Sequence, residues 1–340
     1  MTIWSRRARM TRPCDPRPTP QLVTATHIEF RRGHARPDEP RGLFAVRHDS
    51  PVPASLDELL ALLDLEEIEV NLFRGRQPRT RLQRVFGGQV ASQALMAASR
   101  TTADDRFPHS LHAYFLRSGD TAVPIVYDVE RTRDGSSFST RRVVARQHGQ
   151  SIFYLSASFQ IAETGFDHQD SAPDAPGPDA CPTLGEVLQR ISGRPIEAWD
   201  EEWAALDVRY AGDSRPGGAI ARDGRAARAR VWVRASGAIP DQPALHECVL
   251  AYASDLTVLA ASLVPHGTFI GDPRLRTASI DHAMWFHRPF RADAWLLYDQ
   301  VSPSASGARG FSTGGLFTEA GVLVASVAQE GLIRRVDRSG

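Results

Sequence analysis

Apolar positions recur along this chain in two rhythms. After Ser55 they fall at Leu56, Leu59, Leu60, Leu62 and Leu63, with Glu58 three residues past the serine. That is a capping box followed by an apolar stripe, and it predicts a short amphipathic helix. VFGGQVASQALMAASR predicts a second helix, entered at Gly87-Gly88 and ending near Ser99, whose small residues suit close packing on a sheet. The rhythm then changes to alternation. Strands are expected over 111–116, 125–133, 138–147 and 151–160, with Asp134-Gly135 and His148-Gly149 as turns. Further strands are expected over 206–210, 230–235, 280–287, 294–302, 308–317 and 322–333. Between the two blocks a Pro-, Asp- and Gly-rich stretch from Phe166 to about Gly193 reads as linker.

One stretch obeys neither rhythm. Cys248 to Pro265, CVLAYASDLTVLAASLVP, is apolar or small almost throughout, and Asp255 is its single charge. It predicts a helix from about Pro243 to Val264, buried on every side and so lying at the axis of a core. It is short for a membrane span, and its charge is central. A buried carboxylate is costly unless something specific bonds or solvates it. Asp255 is therefore either tied down by neighbours or lines a cavity where chemistry happens, and the second reading is adopted.

Composition narrows the classes. Forty basic residues balance forty acidic ones, so no global field would gather nucleic acid or an anionic membrane. The absence of lysine excludes Schiff-base chemistry and a P-loop. Cys14, Cys181 and Cys248 stand far apart, which fits a reducing, cytoplasmic compartment better than a disulfide framework. His246-Glu247 begins like a zinc-protease motif, but Leu250 stands where the second histidine belongs. His282 and His287 are five apart on a strand and so on opposite faces, which speaks against a shared metal. Neither metal nor organic cofactor is expected. The Arg- and Pro-rich residues 1–52 show no hydrophobic periodicity and are expected to be a disordered extension.

An internal repeat is visible. Phe115-Leu116-Arg117 recurs as Phe286-His287-Arg288, Phe138-Ser139-Thr140 as Phe311-Ser312-Thr313, and Gln160 as Gln329, all at an offset of about 170 residues. The expected organisation is an α+β unit over 53–165, a linker over 166–204, and a second unit over 205–336 that carries the site. Each unit would be a central helix wrapped by an antiparallel sheet, the hotdog layout, and the pair a double hotdog. Through VFGGQVASQAL, HSLHAYFLRSGD, RDGSSFSTRRV, IFYLSASFQ, YASDL, SIDHAMWFHRPF, SASGARGF and VASVAQEG the chain resembles the bacterial acyl-CoA thioesterase II (TesB-type) family and its peroxisomal relatives. The resemblance runs from about Leu63 to Arg335.

Thioester hydrolysis asks little of a protein. The leaving thiol has a pKa of about 8.5 and departs as thiolate without a strong acid; an oriented water, an acceptor for its proton and oxyanion donors suffice. Asp255 is the natural acceptor. The resemblance implies an Asp, a Thr and a Gln that hold the attacking water together, and these positions read Asp255, Ser279 and Gln329. Serine replaces threonine, keeping the hydroxyl and losing the β-branch. The first unit has no acid in its helix, so it is expected to serve as scaffold and as wall of an acyl tunnel. Arg309 is within the class of residues that grip phosphate, but as a loop arginine it is read as solvated. The expected function is hydrolysis of fatty acyl-CoA to fatty acid and CoA. The rivals are a hotdog acyl-thioester hydratase or dehydratase, for which His282 is the candidate base, and a non-catalytic acyl-CoA binding module. Acyl-CoA is the expected partner, and a homo-oligomer, dimer or tetramer, is implied by the resemblance.

Overall fold

Along 138–147 and 150–161 every second side chain is buried: Val143, Ala145, Leu155 and Phe159 are sealed from solvent, whereas Arg142 and Ser156 face it. That period of two makes a sheet with one face on a core. The computed structural model describes residues 55–336 except 79, 81, 194–198 and 221–226, so the expected disordered extension, 1–52, lies outside the described residues. The strands are β1 (Glu66–Glu69), β2 (Leu72–Gly75), β3 (Arg106–Phe115), β4 (Ile125–Asp134), β5 (Phe138–Gln147), β6 (Gln150–Ile161) and β7 (Leu206–Asp213). Then come β8 (Arg228–Ala235), β9 (Leu275–Ser279), β10 (Asp281–Phe286), β11 (Leu296–Ser306), β12 (Arg309–Thr318) and β13 (Leu323–Arg335). The helices are α1 (Leu56–Leu63), α2 (Gly87–Ser99), α3 (Leu184–Ser192), α4 (Trp199–Glu202) and α5 (Pro243–Ser254).

Strand order in the sheet is β1-β2-β4-β5-β6-β3-β10-β13-β12-β11-β8-β7, with β9 paired to β13. The order reads alike from both ends, so β3 corresponds to β10, β6 to β13, β5 to β12 and β4 to β11. The two halves join where β3 pairs antiparallel with β10, with Leu111 opposite Met284, both fully buried. The expected duplication of a helix-on-sheet unit is thus present. The match of Gln160 with Gln329 does not hold in the register set by Phe138 and Phe311. Phe138 pairs with Gln160, whereas Phe311 pairs with Glu330, so the residue that matches Gln329 is Phe159. A slip of one position moves a side chain to the other face. Gln160 accordingly lies half-exposed and donates to Glu163 at 2.7 Å, while Phe159 fills the core.

Ser55 caps α1 by accepting the Glu58 amide, as the capping signal predicts. The hairpin β1–β2 escapes the sequence pattern because every residue of β1 is exposed. Within 166–204 the chain carries two helices of its own, α3 and the short α4, and Thr183 and Glu186 close a capping box at the start of α3. This TLGE signature lay in the sequence beneath the prolines around it.

The apolar axis helix is shorter than expected. It ends at Ser254 with Asp255 as its C-cap, and a 3-10 stretch, Val258–His266, follows. Side chains take over the carbonyls of its last turn: Tyr298 Oη donates to the Ser254 carbonyl at 3.3 Å, and Ser254 Oγ donates to the Ala251 carbonyl at 2.9 Å. Serine and aspartate compete with the helical ladder in this way. Together the two segments, Pro243–His266, are long and apolar enough to cross a bilayer, yet 78% of the most apolar window is buried inside the protein.

α5 packs directly on α2, whose residues Gly88 to Ala98 are all buried. Contact is closest at Gly88, where a Cβ would collide with the Tyr252 carbonyl oxygen. Gly88→Ala is therefore expected to destabilise the protein by about 1–3 kcal/mol through overpacking and to lower its melting temperature by several degrees. Gly177→Ala, where a Cβ meets nothing within 4 Å, is the neutral control; equal melting temperatures for the two variants would mean that the helices do not meet at Gly88.

Candidate active site

The early end of α5 places the Asp255 carboxylate at a helix C-terminus, where the macrodipole disfavours a negative charge. The opposite pole compensates. α2 begins at Gly87, and a Cβ there would stand 2.6 Å from Asp255 Oδ2, so only glycine lets the first turn come this near. The Gly88 amide donates to the carboxylate. First-turn amides have no partner within their own helix and serve as ready anion donors.

Asp255 Oδ1 accepts from Ser279 Oγ at 3.0 Å, and Ser279 Oγ accepts from Gln329 Nε2 at 2.9 Å. The structure thus brings together the three residues singled out in the sequence. It adds a fourth, because Gln329 Oε1 lies 2.6 Å from His282 Nδ1, whose Nε2 in turn lies 2.9 Å from Ser254 Oγ. Donor directions follow from the carboxylate, which only accepts. Ser279 must spend its proton on Asp255, so its lone pair takes the Gln329 amide. The Gln329 carbonyl then faces His282, which donates through Nδ1.

A break in a strand makes this convergence possible. β9 and β10 both pair with β13, Ser279 opposite Gly331 and Ala283 opposite Ala328, so the register shifts by one residue around Ile280. Within an unbroken strand, Ser279 and His282 would face opposite sides; the bulge turns both toward Gln329. Asp281 caps the gap by accepting the Glu330 amide at 2.7 Å. His287 lies on the other face, bonded to Ser326.

Asp255 and Ser279 line a cavity of about 700 Å³ with mainly apolar walls, among them Phe115, Phe153, Val187, Trp203, Val231 and Leu259. Gln329 and His282, 0% and 1% exposed, stand behind Ser279 and do not line it. Burial drives the Asp255 carboxyl above its ordinary range; His282 and the hydrogen bonds from Ser279, Gln329 and Gly88 oppose the rise without cancelling it. Among the described residues no three of His, Cys, Asp and Glu converge in a metal-binding group.

The first half lacks this arrangement. Arg100 is the C-cap of α2 where Asp255 caps α5, and Phe159 stands where the second half has Gln329. The buried guanidinium of Arg141 closes that helix end, donating to Thr101 Oγ1 and the Thr101 carbonyl at 2.9 Å each. The halves thus differ at the end of the central helix, where the second half carries the candidate site.

The sequence marked Gly87 only as a helix start and His282 only as the candidate base of the rival hydratase, and placed neither beside Asp255. The paired glycines at a helix start were a visible signal for the first. For His282 no local signal exists, because regular alternation puts it on the wrong face.

Two family models match the chain: one described as acyl-CoA thioesterase over residues 213–332, and one as acyl-CoA thioesterase N-terminal domain over residues 76–160. Acyl-CoA thioesterase 2 of Haemophilus influenzae is 38% identical over 284 residues, covering 82% of this chain and 98% of the relative. Human acyl-coenzyme A thioesterase 8 is 40% identical over 296 residues, covering 83% and 91%. Among solved structures, the acyl-CoA thioesterase II TesB2 of Mycobacterium marinum superposes with a TM-score of 0.70 at 48% identity, covering 82% of this chain and 98% of the other. A hot dog-fold protein of Alicyclobacillus acidocaldarius shares the fold at a TM-score of 0.64 and 18% identity. With this fold, this duplication and relatives matched over nearly their whole length, the chain belongs to the TesB-type acyl-CoA thioesterase II family and is a double hotdog.

Proposed function

We propose that the protein hydrolyses fatty acyl-CoA to free fatty acid and CoA, with Asp255 as the acceptor that activates water. The observation that carries this reading is a carboxylate, Asp255, on the wall of a mainly apolar cavity, held on one side by Ser279 and on the other by the first turn of α2, whereas the second carboxylate of that lining, Asp213, is paired with Arg215. An acyl chain lies in the apolar part of the cavity. A water beside Asp255 attacks the thioester carbonyl carbon and passes its proton to the carboxylate. The developing oxyanion takes its hydrogen bonds from the α2 first turn, whose Gly87 lines the cavity. The carbon–sulfur bond then breaks and the thiolate leaves; Asp255 gives up the proton it took, to the thiolate or to solvent, and is again a carboxylate. In this reading Ser279 orients the carboxylate, while Gln329, buried behind Ser279 and outside the cavity lining, fixes the hydroxyl and does not touch the water.

Such a site differs from a hydratase in one respect. Moving protons at carbon needs a base in reach of the acyl chain, and His282 is sealed behind Gln329, outside the cavity lining.

Free thiol released from acyl-CoA, followed for wild type and Asp255→Asn, tests the assignment. The variant is expected to lose about a hundredfold or more in kcat, the size of a general-base contribution, with the fold intact by circular dichroism. Undiminished turnover would overturn the role of Asp255. Since only the ionised carboxylate accepts a proton, and burial raises its pKa, kcat should climb with pH along an acid limb lying above the ordinary carboxylate value of about 4. A flat profile down to that pH would contradict it. His282→Asn keeps an N–H facing Gln329 Oε1, so thiol release is expected to stay within about tenfold of wild type; complete loss of activity would instead favour chemistry on His282 itself.

A further inference from the structure

A second pocket opens on the same sheet. It holds about 380 Å³ and is lined by Arg274, Arg309, Arg335, His266 and Thr268, by the Asp272 carboxylate that Arg274 pairs with, and by Leu275 and Ile333. Thr268 lines both this pocket and the catalytic cavity. β9 and the end of β13 supply residues to both. Thr277, Ala278, Ser279 and Leu332 face the cavity, and beyond them Leu275, Ile333 and Arg335 face the second pocket. These strands pair Ala278 with Leu332, Thr277 with Ile333 and Leu275 with Arg335, so the run is one short ribbon.

We infer that this pocket seats the phosphorylated nucleotide end of the acyl-CoA substrate, an inference that rests on the thioesterase reading for the identity of its ligand. Distance is the first reason. From Ser279 to Leu275 the strand advances about 13 Å at ~3.3 Å per residue. The pantetheine arm from sulfur to the first phosphate ester oxygen has about twelve bonds, and at the ~1.2 Å per bond of an extended chain it spans about 14 Å. A thioester held at Asp255 and Ser279 therefore delivers its diphosphate to this pocket when the arm follows β9.

Charge is the second reason. Arg309 engages Glu330 through Nε at 2.8 Å, which leaves both Nη groups for another acceptor. Arg274 is held by Asp272 through Nε and Nη2, its side chain 71% exposed. Arg335 is exposed and has no carboxylate partner among the described residues. Two arginines steadied by carboxylates, with a third uncommitted, leave a net positive pocket whose forks match phosphate oxygens bidentately. The loop arginine that sequence alone reads as solvated is thereby given a ligand.

The test compares acyl-CoA with the same acyl group on pantetheine, which lacks the nucleotide, in wild type, Arg309→Ala and Arg335→Ala. Both variants are expected to raise KM for acyl-CoA by about tenfold, in a salt-dependent manner, with the increase confined to substrates bearing the nucleotide. A KM for acyl-CoA that does not move, or one that rises equally for acyl-pantetheine, would overturn the assignment. Calorimetric binding of adenosine 3′,5′-bisphosphate, the nucleotide end alone, reads the pocket without any turnover. Wild type is expected to bind it and Arg335→Glu to bind at least tenfold more weakly, whereas no binding by wild type would refute the subsite. If the nucleotide binds while no thioester is cleaved, the pocket stands and the hydrolytic reading falls.

Discussion

A carboxylate held out of water is the constraint on which the rest of this structure depends. Asp255 is 8% exposed, and charge at that depth is costly unless bonded. Its surroundings answer that cost from several directions at once. A hydroxyl reaches it from β9, a glutamine on β13 steadies the hydroxyl, and the first turn of α2 approaches over two glycines. None of these supports would be near if α5 ran on as a regular helix to Pro265. Compensation is incomplete, since burial still lifts the carboxyl above its usual range. In the proposed reading, that residue of instability makes Asp255 a proton acceptor rather than an inert ion.

Duplication explains the scaffold, and its breakdown explains the site. Equivalent strands run outward in the same order from the β3–β10 seam, and the two central helices meet at Gly88. In the first half the corresponding helix end is sealed by Arg141, a cation suited to a helix C-terminus. In the second half it is left open toward a cavity. The first half contributes instead through the start of its helix, which faces Asp255, and through Phe115 and Phe153 on the cavity wall. Neither half holds a complete site alone.

The ribbon of β9 and β13 ties the chemistry to the surface. Its bulge at Ile280 gathers Ser279 and His282 about Gln329, and its straight run beyond Ser279 leads to the arginine-lined pocket. One interruption of a strand thus defines the start of a path about as long as the linear arm of the proposed substrate.

Much of this was legible in the residues themselves, because it is local. Period-two alternation marked most strands, the Ser55 capping signal marked α1, and the run around Asp255 declared a buried helix with one charge. Motif resemblance brought Ser279 and Gln329 to the same place as Asp255. What the sequence could not determine depends on register and on where a helix stops. The Gln160 match looked sound as a string, yet a one-residue slip put Phe159 opposite Ser139 and turned Gln160 to the other face. The end of α5 was decided by Tyr298 from a distant strand, whose hydroxyl takes the Ser254 carbonyl that a longer helix would have used. His282 joins the site only through a bulge that no periodicity contains, and Arg309 acquires a partner pocket only once β9, β12 and β13 lie side by side. Local pattern sets which residues are buried; non-local pairing sets which buried residues meet, and in this protein the candidate chemistry resides in the meeting.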